Sequence, residues 1–373
     1  MKRKIAVIAN NDLGLYNFRK ELLERLLREG YAVTILLPDG EKVRDMQAMG
    51  CAFEELAVDR RGTNPFRDFK LFLGIIRKLM RIRPDTVLTY TVKPNIYGGM
   101  AARLLHIPYI ANITGLGSAL ETPGLLQKIT MRMYRTGLKK AGCVFCQNKE
   151  NLRFVKRRKI TGEKVRLLPG SGVNLRHFSL QAYPPDGTLE FVFVSRVMKE
   201  KGINEYLEAA RMTRKKYPNT RFHICGFCEE EFAGRLKKLQ AEGLIEYHGL
   251  VTDIRQVLKD MHCAVLPSYH EGMSNALLEA AATGRVLIAS NIPGCRECLK
   301  HREGGFLVKP GDAGDLAKKM EKFIRIPYEG KRKMGLAART WVEGHFDRNL
   351  VVDVYMQEIQ DSLGGRQPGA GKK

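Results

Sequence analysis

The feature that most constrains this chain is an alternation of short apolar runs and helical periods that runs, stops and starts again. Residues 4–10 read KIAVIAN, an apolar run ending in polar residues. A helical pattern follows over 16–29, with Phe18, Leu22, Leu23 and Leu26 at helical spacing. Gly30 closes it, where a C-terminal glycine belongs. The same reasoning predicts strands over 31–37, 85–90, 108–113 and 142–147, and helices over 65–83, 94–106 and 125–140. A break at 168–188, rich in Gly, Pro and Ser, reads as a linker. The pattern then resumes, with strands over 189–195, 221–225, 245–247, 264–266 and 286–289. Helices are expected over 203–217, 229–241, 254–259 and 275–283, and again between 312 and 361. Strands alternating with helices mean parallel sheets covered on both faces. The expected organisation is an α/β domain over 1–168, a linker over 169–188 and a second α/β domain over 189–340. A helix over 341–363 is expected to pack back towards the first domain, and the Gly- and Lys-rich end, 364–373, reads as disordered.

Composition agrees with two cores. The chain has 373 residues, 44% of them hydrophobic, which is too long for one ordinary core and sufficient for two. No apolar stretch is long enough to span a bilayer, and the N-terminal apolar run is too short for a signal segment. The expectation is a cytoplasmic protein. The net charge is +23, which points to a polyanionic partner: nucleic acid, an acidic membrane surface or phosphorylated small molecules. Eight cysteines include three Cys-x-x-Cys pairs, Cys143/Cys146, Cys225/Cys228 and Cys295/Cys298. Two pairs would suffice for a zinc site, but Cys143 and Cys146 sit in one apolar strand-like run and Cys225 ends another, and buried free thiols are the stronger reading.

In open α/β sheets ligands bind at the carboxyl ends of the strands. Arg196 follows one such strand, and Lys201 comes just before the next helix; together they can converge on a phosphate group. After the strand at 264–266 comes Pro-Ser-Tyr-His-Glu271-Gly-Met273-Ser274-Asn275, leading into a helix whose N-terminal amides form an anion site. Glu279 lies one turn inside that helix. Glu271 and Glu279 do not suit a hydrolase pair. Eight helical residues rise ~12 Å and leave the two side chains ~80° apart in direction, beyond the ~5–9.5 Å carboxyl separation of glycosidases. Separate roles fit better, one carboxylate near a sugar and the other on ribose hydroxyls.

The Glu-x₇-Glu motif from Glu271 to Glu279, with Arg196 and Lys201, resembles the glycosyltransferases of family 4. That resemblance covers all but the tail and implies the GT-B fold: two Rossmann-like domains with parallel sheets facing an interdomain cleft. It implies that Arg196 and Lys201 bind the nucleotide diphosphate, Glu279 holds the ribose and Glu271 lies near the donor sugar. Met273, Ser274 and Asn275 then form the loop reaching the sugar and distal phosphate. Gly14 corresponds to the glycine of the first N-terminal loop, and Gly226 with 249–253 to the region lining the base. The first loop lacks paired glycines, and the strand that ends near Asn112 is followed by Ile-Thr-Gly-Leu-Gly and not by the His of many family members, so no catalytic His is assigned.

Thr91-Val92-Lys93-Pro94-Asn95, Thr114-Gly115-Leu116-Gly117 and the stretch 169–174 are similar to a narrower group that extends undecaprenyl-diphosphate-linked sugars, including transferases of N-acetylgalactosamine. The resemblance implies a retaining transfer from a UDP-sugar without a metal, with the N-terminal domain taking the acceptor through Lys93, Asn95 and Thr114. Two basic stretches give that domain a membrane-facing character. Residues 125–160 carry eleven basic residues against Glu150 alone, and 61–83 carry seven against Asp68 alone, both mixed with Phe, Ile and Met. The expected location is the cytoplasmic face of the inner membrane, held peripherally. A nucleic-acid-binding protein would also be basic, but no recognition motif is visible. A UDP-sugar epimerase lacks an evident acid/base set, and a dehydrogenase would need Gly-x-Gly-x-x-Gly after the first strand.

Overall fold

The computed structural model describes residues 2–58, 64–115, 124–161 and 164–364. Arg61, Leu116, Gly117 and the tail 365–373 therefore lie outside the described residues. The chain forms two compact units, one of residues up to 171 together with those from 349 onwards, the other Gly172–Arg348.

In the first unit seven strands form one parallel sheet: β1 (Lys4–Ile8), β2 (Ala32–Leu37), β3 (Ala52–Glu55), β4 (Thr86–Tyr90), β5 (Tyr109–Ile113), β6 (Cys143–Cys146) and β7 (Lys164–Leu167). Their spatial order is β3-β2-β1-β4-β5-β6-β7. The two faces of β1 fill different cores, Ile5 and Val7 on one side, Ala6 and Ile8 on the other. The period-2 alternation of a strand buried on both faces requires this. Helices α1 (Asp12–Arg28), α2 (Val43–Ala48), α3 (Pro65–Ile82), α4 (Gly99–Leu104), α5 (Leu125–Leu138) and α6 (Lys149–Arg157) join the strands. The expected helix over 94–106 opens as a π-helical turn, Pro94–Gly98, before α4.

The second unit holds a six-stranded parallel sheet, β8 (Leu189–Val194), β9 (Thr220–Cys225), β10 (Glu246–Tyr247), β11 (Cys263–Leu266), β12 (Val286–Ser290) and β13 (Gly305–Val308), in the order β10-β9-β8-β11-β12-β13. Its helices are α7 (Ile203–Lys216), α8 (Glu230–Ala241), α9 (Arg255–Leu258), α10 (Asn275–Ala282), α11 (Ala313–Ile324) and α12 (Tyr328–Phe346). The expected linker differs from the structure: from Gly172 onwards it belongs to this unit. Val173 bridges to Asp347, and Phe178 is buried in the core.

The last helix, α13 (Arg348–Gly364), returns to the first unit, where Val351, Val352, Tyr355, Met356, Ile359 and Leu363 are buried beside β4, β5 and β6 residues. Glu358, almost wholly buried, pairs with Lys164 at 2.6 Å and with Arg166. Ile359 is fully buried, so Ile359→Ala should cost ~2–5 kcal/mol in the first unit. Urea unfolding followed by circular dichroism should show an earlier transition.

Candidate active site

In each sheet the order reverses beside its first strand, between β1 and β4 in the first unit and between β8 and β11 in the second. Loops leaving adjacent strands at such a point diverge to opposite faces and open a crevice. In the second unit, the loop after β8 carries Arg196 and Lys201, and the loop after β11 carries Glu271 to Asn275. The predicted residues thus fall on the two loops of the switch point.

The loops are laced together. Gly202 has φ +76°, and a Cβ there would run into the Pro267 carbonyl. Only glycine tolerates both conditions. Tyr269 N–H donates to the Glu200 carbonyl at 2.9 Å. Lys201 Nζ donates to Glu271 Oε1 at 2.7 Å, and Ser268 Oγ donates to the same oxygen at 3.0 Å. Lys201 and Glu271, expected in separate roles, form one ion pair. Arg196, by contrast, is exposed, and its guanidinium bonds to no described residue. Gly226, at the end of β9, has φ +146°, and a Cβ there would strike the Ser195 carbonyl. Its N–H donates to the Gly249 carbonyl at 2.7 Å, and Tyr247 Oη donates to its own carbonyl at 3.0 Å.

Ser274 caps α10, accepting from Leu277 N–H at 3.3 Å, while its own N–H donates to the Gly294 carbonyl at 2.9 Å. The remaining first-turn amides lack intrahelical partners. Met273 is buried against Cys298, with sulfurs 3.7 Å apart, so the third cysteine pair packs behind this loop. Asn275 holds a buried side-chain oxygen without a partner. The Glu279 carboxylate accepts no hydrogen bond from any described residue, and burial pushes its pKa up to about 7 despite the Arg348 charge.

In the first unit the corresponding loops follow β1 and β4. Gly14 does not sit in a loop: α1 starts at Asp12, and Gly14 N–H donates to Asn11 Oδ1, the helix cap, at 2.6 Å. Asn95 is not an accessible acceptor contact. It is fully buried, accepting from Thr89 Oγ1 at 2.7 Å and donating to the Asn112 carbonyl at 2.8 Å. Lys93 is largely covered and paired with Asp68 at 2.6 Å. Thr114 stands half-buried just past β5, its hydroxyl without a described partner. Sequence reasoning gave Thr91 no individual role. It has φ +74°, an outlier for a β-branched residue, and a buried hydroxyl with no hydrogen-bond partner among the described residues. Such strain clusters at functional sites; residue type alone does not announce it. Asn112, where a His was absent, accepts from Tyr355 of α13.

Two family descriptions match the chain, "Glycosyl transferase 4-like" over residues 4–148 and "Glycosyl transferases group 1" over 180–341. A Campylobacter jejuni protein, N,N'-diacetylbacillosaminyl-diphospho-undecaprenol alpha-1,3-N-acetylgalactosaminyltransferase, is 24% identical, the match covering 95% of this chain and 97% of that one. An Escherichia coli UDP-Gal:alpha-D-GlcNAc-diphosphoundecaprenol alpha-1,3-galactosyltransferase is 27% identical, over 68% of this chain and 69% of that one. Among solved structures, a Rickettsia africae glycosyltransferase superposes with a TM-score of 0.81 at 20% identity, covering 98% of this chain and 100% of that one. The Anabaena protein HepE in complex with UDP and glucose gives 0.78 at 15% identity, over 96% and 100%. These two establish a shared fold.

A carboxyl whose folded pKa is raised stabilises the fold below its unfolded value, and that stability is lost as pH rises through the folded value. For Glu279 the window runs from 4.5 to about 7. Glu279→Gln should therefore leave thermal stability unchanged at pH 4.5 and raise it at pH 8. The gain should be on the order of 1–2 kcal/mol, allowing for the carboxylate's partial exposure. Thermal unfolding at both values checks this.

Proposed function

Since the chain belongs to the group 1, family 4-like glycosyltransferases, we propose that it moves a hexose or N-acetylhexosamine, N-acetylgalactosamine first among candidates, from a UDP-sugar to an undecaprenyl-diphosphate-linked saccharide. The observation carrying this reading is the second unit's switch point, whose two loops bring an exposed guanidinium, the free amides of a helix start and, one turn into that helix, a carboxylate that accepts no hydrogen bond from any described residue. Cations and amides suit a diphosphate; a carboxylate accepting from two hydroxyls suits a ribose. The two lipid-diphosphate transferases among the relatives support the acceptor class, and the Campylobacter jejuni one supports the sugar.

The bond from the sugar's anomeric carbon to the distal phosphate oxygen breaks as the acceptor oxygen attacks from the same face. The acceptor proton passes to the departing phosphate, and configuration is retained. Arg196, Lys201 and the α10 amides stabilise the growing charge on UDP, a preorganised electrostatic role, without a metal at the phosphates. Glu271 holds Lys201 and lies towards the sugar; Glu279 grips the ribose. In the first unit Lys93, Thr91 and Thr114, at the ends of β4 and β5, are assigned to the acceptor.

The decisive experiment is a panel of UDP-sugars offered with short polyprenyl-diphosphate saccharides, read by mass. Addition of one N-acetylhexosamine is expected; no addition from any pair would overturn the reading. Arg196→Ala should lower turnover ~10²-fold, and near-normal turnover would remove Arg196 from the site.

The lipid-linked acceptor also requires a membrane surface. No helix among the described residues is long and apolar enough to cross one. On α3, Phe66 and Phe69 are 82% and 59% exposed, next to Arg67 and Lys70 respectively. On α5, Ile129 is exposed beside Lys128 and Arg132. Exposed aromatics among cations fit an anionic lipid surface. Binding to phosphatidylglycerol vesicles should weaken steeply in high salt and fall in the Phe66→Ser/Phe69→Ser double variant. Sedimentation with vesicles reads both.

A further inference from the structure

The β9–β10 edge of the second sheet carries a cluster of polar side chains outside the residues assigned to the phosphates. His223 on β9 pairs in register with Glu246 on β10 and with Val192 on β8. Residues in register on parallel strands share a face, and so do residues two apart on one strand. Glu190, His223, Glu246 and His248 therefore all point to the same side.

Their contacts have a definite sense. His223 is buried, and its Nε2 lies 2.8 Å from Glu190 Oε2. An ionised carboxylate only accepts, so the proton sits on Nε2 and Nδ1 keeps its lone pair, which accepts from His248 Nε2–H in the metal-free chain. Nδ1 lies 2.9 Å from His248 Nε2 and 3.6 Å from Glu246 Oε2. The three ligand atoms all lie within 4.8 Å of one another, and Glu246 and His248 are exposed. Two imidazoles and a carboxylate converging on a point open to water make a donor set for zinc, with water in the fourth position. A carboxylate behind the buried imidazole is the partner that orients a metal-binding histidine.

We propose that His223, Glu246 and His248 form a zinc site, oriented from behind by Glu190, and that the ion clips β10 to β9. Strand β10 is a two-residue edge strand, the kind of element that a cross-strand tether stabilises most. The residue after His248 is Gly249, whose carbonyl takes the Gly226 N–H. The ion would thus anchor the start of the 249–253 stretch. The proposal is independent of the donor reading, because its ligands and its test involve no nucleotide.

The test uses the full chain, free of any affinity tag, stripped with chelator and titrated with Co²⁺ under reducing conditions. A visible d–d band saturating at one equivalent and abolished by Zn²⁺ is expected. Zn²⁺ should also raise the thermal midpoint of the wild-type chain. His248→Ala and Glu246→Gln, both at exposed positions, should fold with unchanged circular dichroism, lose the band and lose the Zn²⁺ stabilisation. Glu190→Gln should weaken affinity ~10–100-fold. A titration without a saturable band would overturn the proposal. So would a band untouched by His248→Ala and Glu246→Gln, or a sulfur-to-cobalt charge-transfer band placing the ion on cysteine.

Discussion

Both sheets are parallel and covered on both faces, and this one constraint decides where chemistry can sit. Along β1 and β12 the side chains of both faces are consumed by packing. A reactive polar group within them would be buried without water. Polar function is therefore driven to the carboxyl ends of the strands, and within each sheet to the point where strand order reverses. The price is close backbone approach. The two loops of the second unit meet at Gly202 and Pro267, and the ends of β8 and β9 meet at Gly226 and Ser195. Any side chain at either glycine would push apart the loops that carry Arg196, Lys201 and Glu271.

Those loops divide their charges unequally. Lys201 and Glu271 neutralise one another in a largely covered pair, and such a pair tolerates burial because each partner offsets the other's lost hydration. Among the described residues Arg196 has no such offset, and the Glu279 carboxylate has only the partial one of the Arg348 charge. For Arg196, exposure makes this inexpensive. For Glu279 it is costly, and the cost shows as a carboxyl that resists ionisation until about pH 7. Under the proposed function the ribose hydroxyls would supply the missing partners.

The alternation of strands and helices was legible because long, fully buried strands read as apolar runs. What escaped were elements without that signature: β3 and β7 are edge strands with exposed, charged ends, α2 has six residues and β13 four. Helix α1 begins earlier than its periodicity suggests because Asn11 supplies the cap, making Asn-Asp-Leu-Gly a helical turn instead of a loop. Among the candidate site residues, Arg196, Lys201 and Glu271 stood out as charges on loops that follow strands, and Glu279 as a carboxylate among apolar helical neighbours. Asn95 misled for the opposite reason: an amide is small enough to be buried whole, and this one ties β4 to β5. The strain at Thr91 belongs to the backbone and leaves no trace in composition.

Sequence spacing and spatial register diverge most sharply in the candidate metal ligands. Cys143 and Cys146 look like a chelating pair, yet both lie on one strand three residues apart. A period of two sends them to opposite faces, and they fill different cores. A tight sequence motif is thus taken apart by the pleat. His223 and Glu246 stand far apart in sequence with no motif between them, yet the β9–β10 register sets them side by side. In a parallel sheet the whole crossover helix intervenes between neighbours, so ligands drawn from adjacent strands are never close in sequence. Sheet register, which short-motif reading does not see, is therefore what decides which side chains of this fold can meet on one ion.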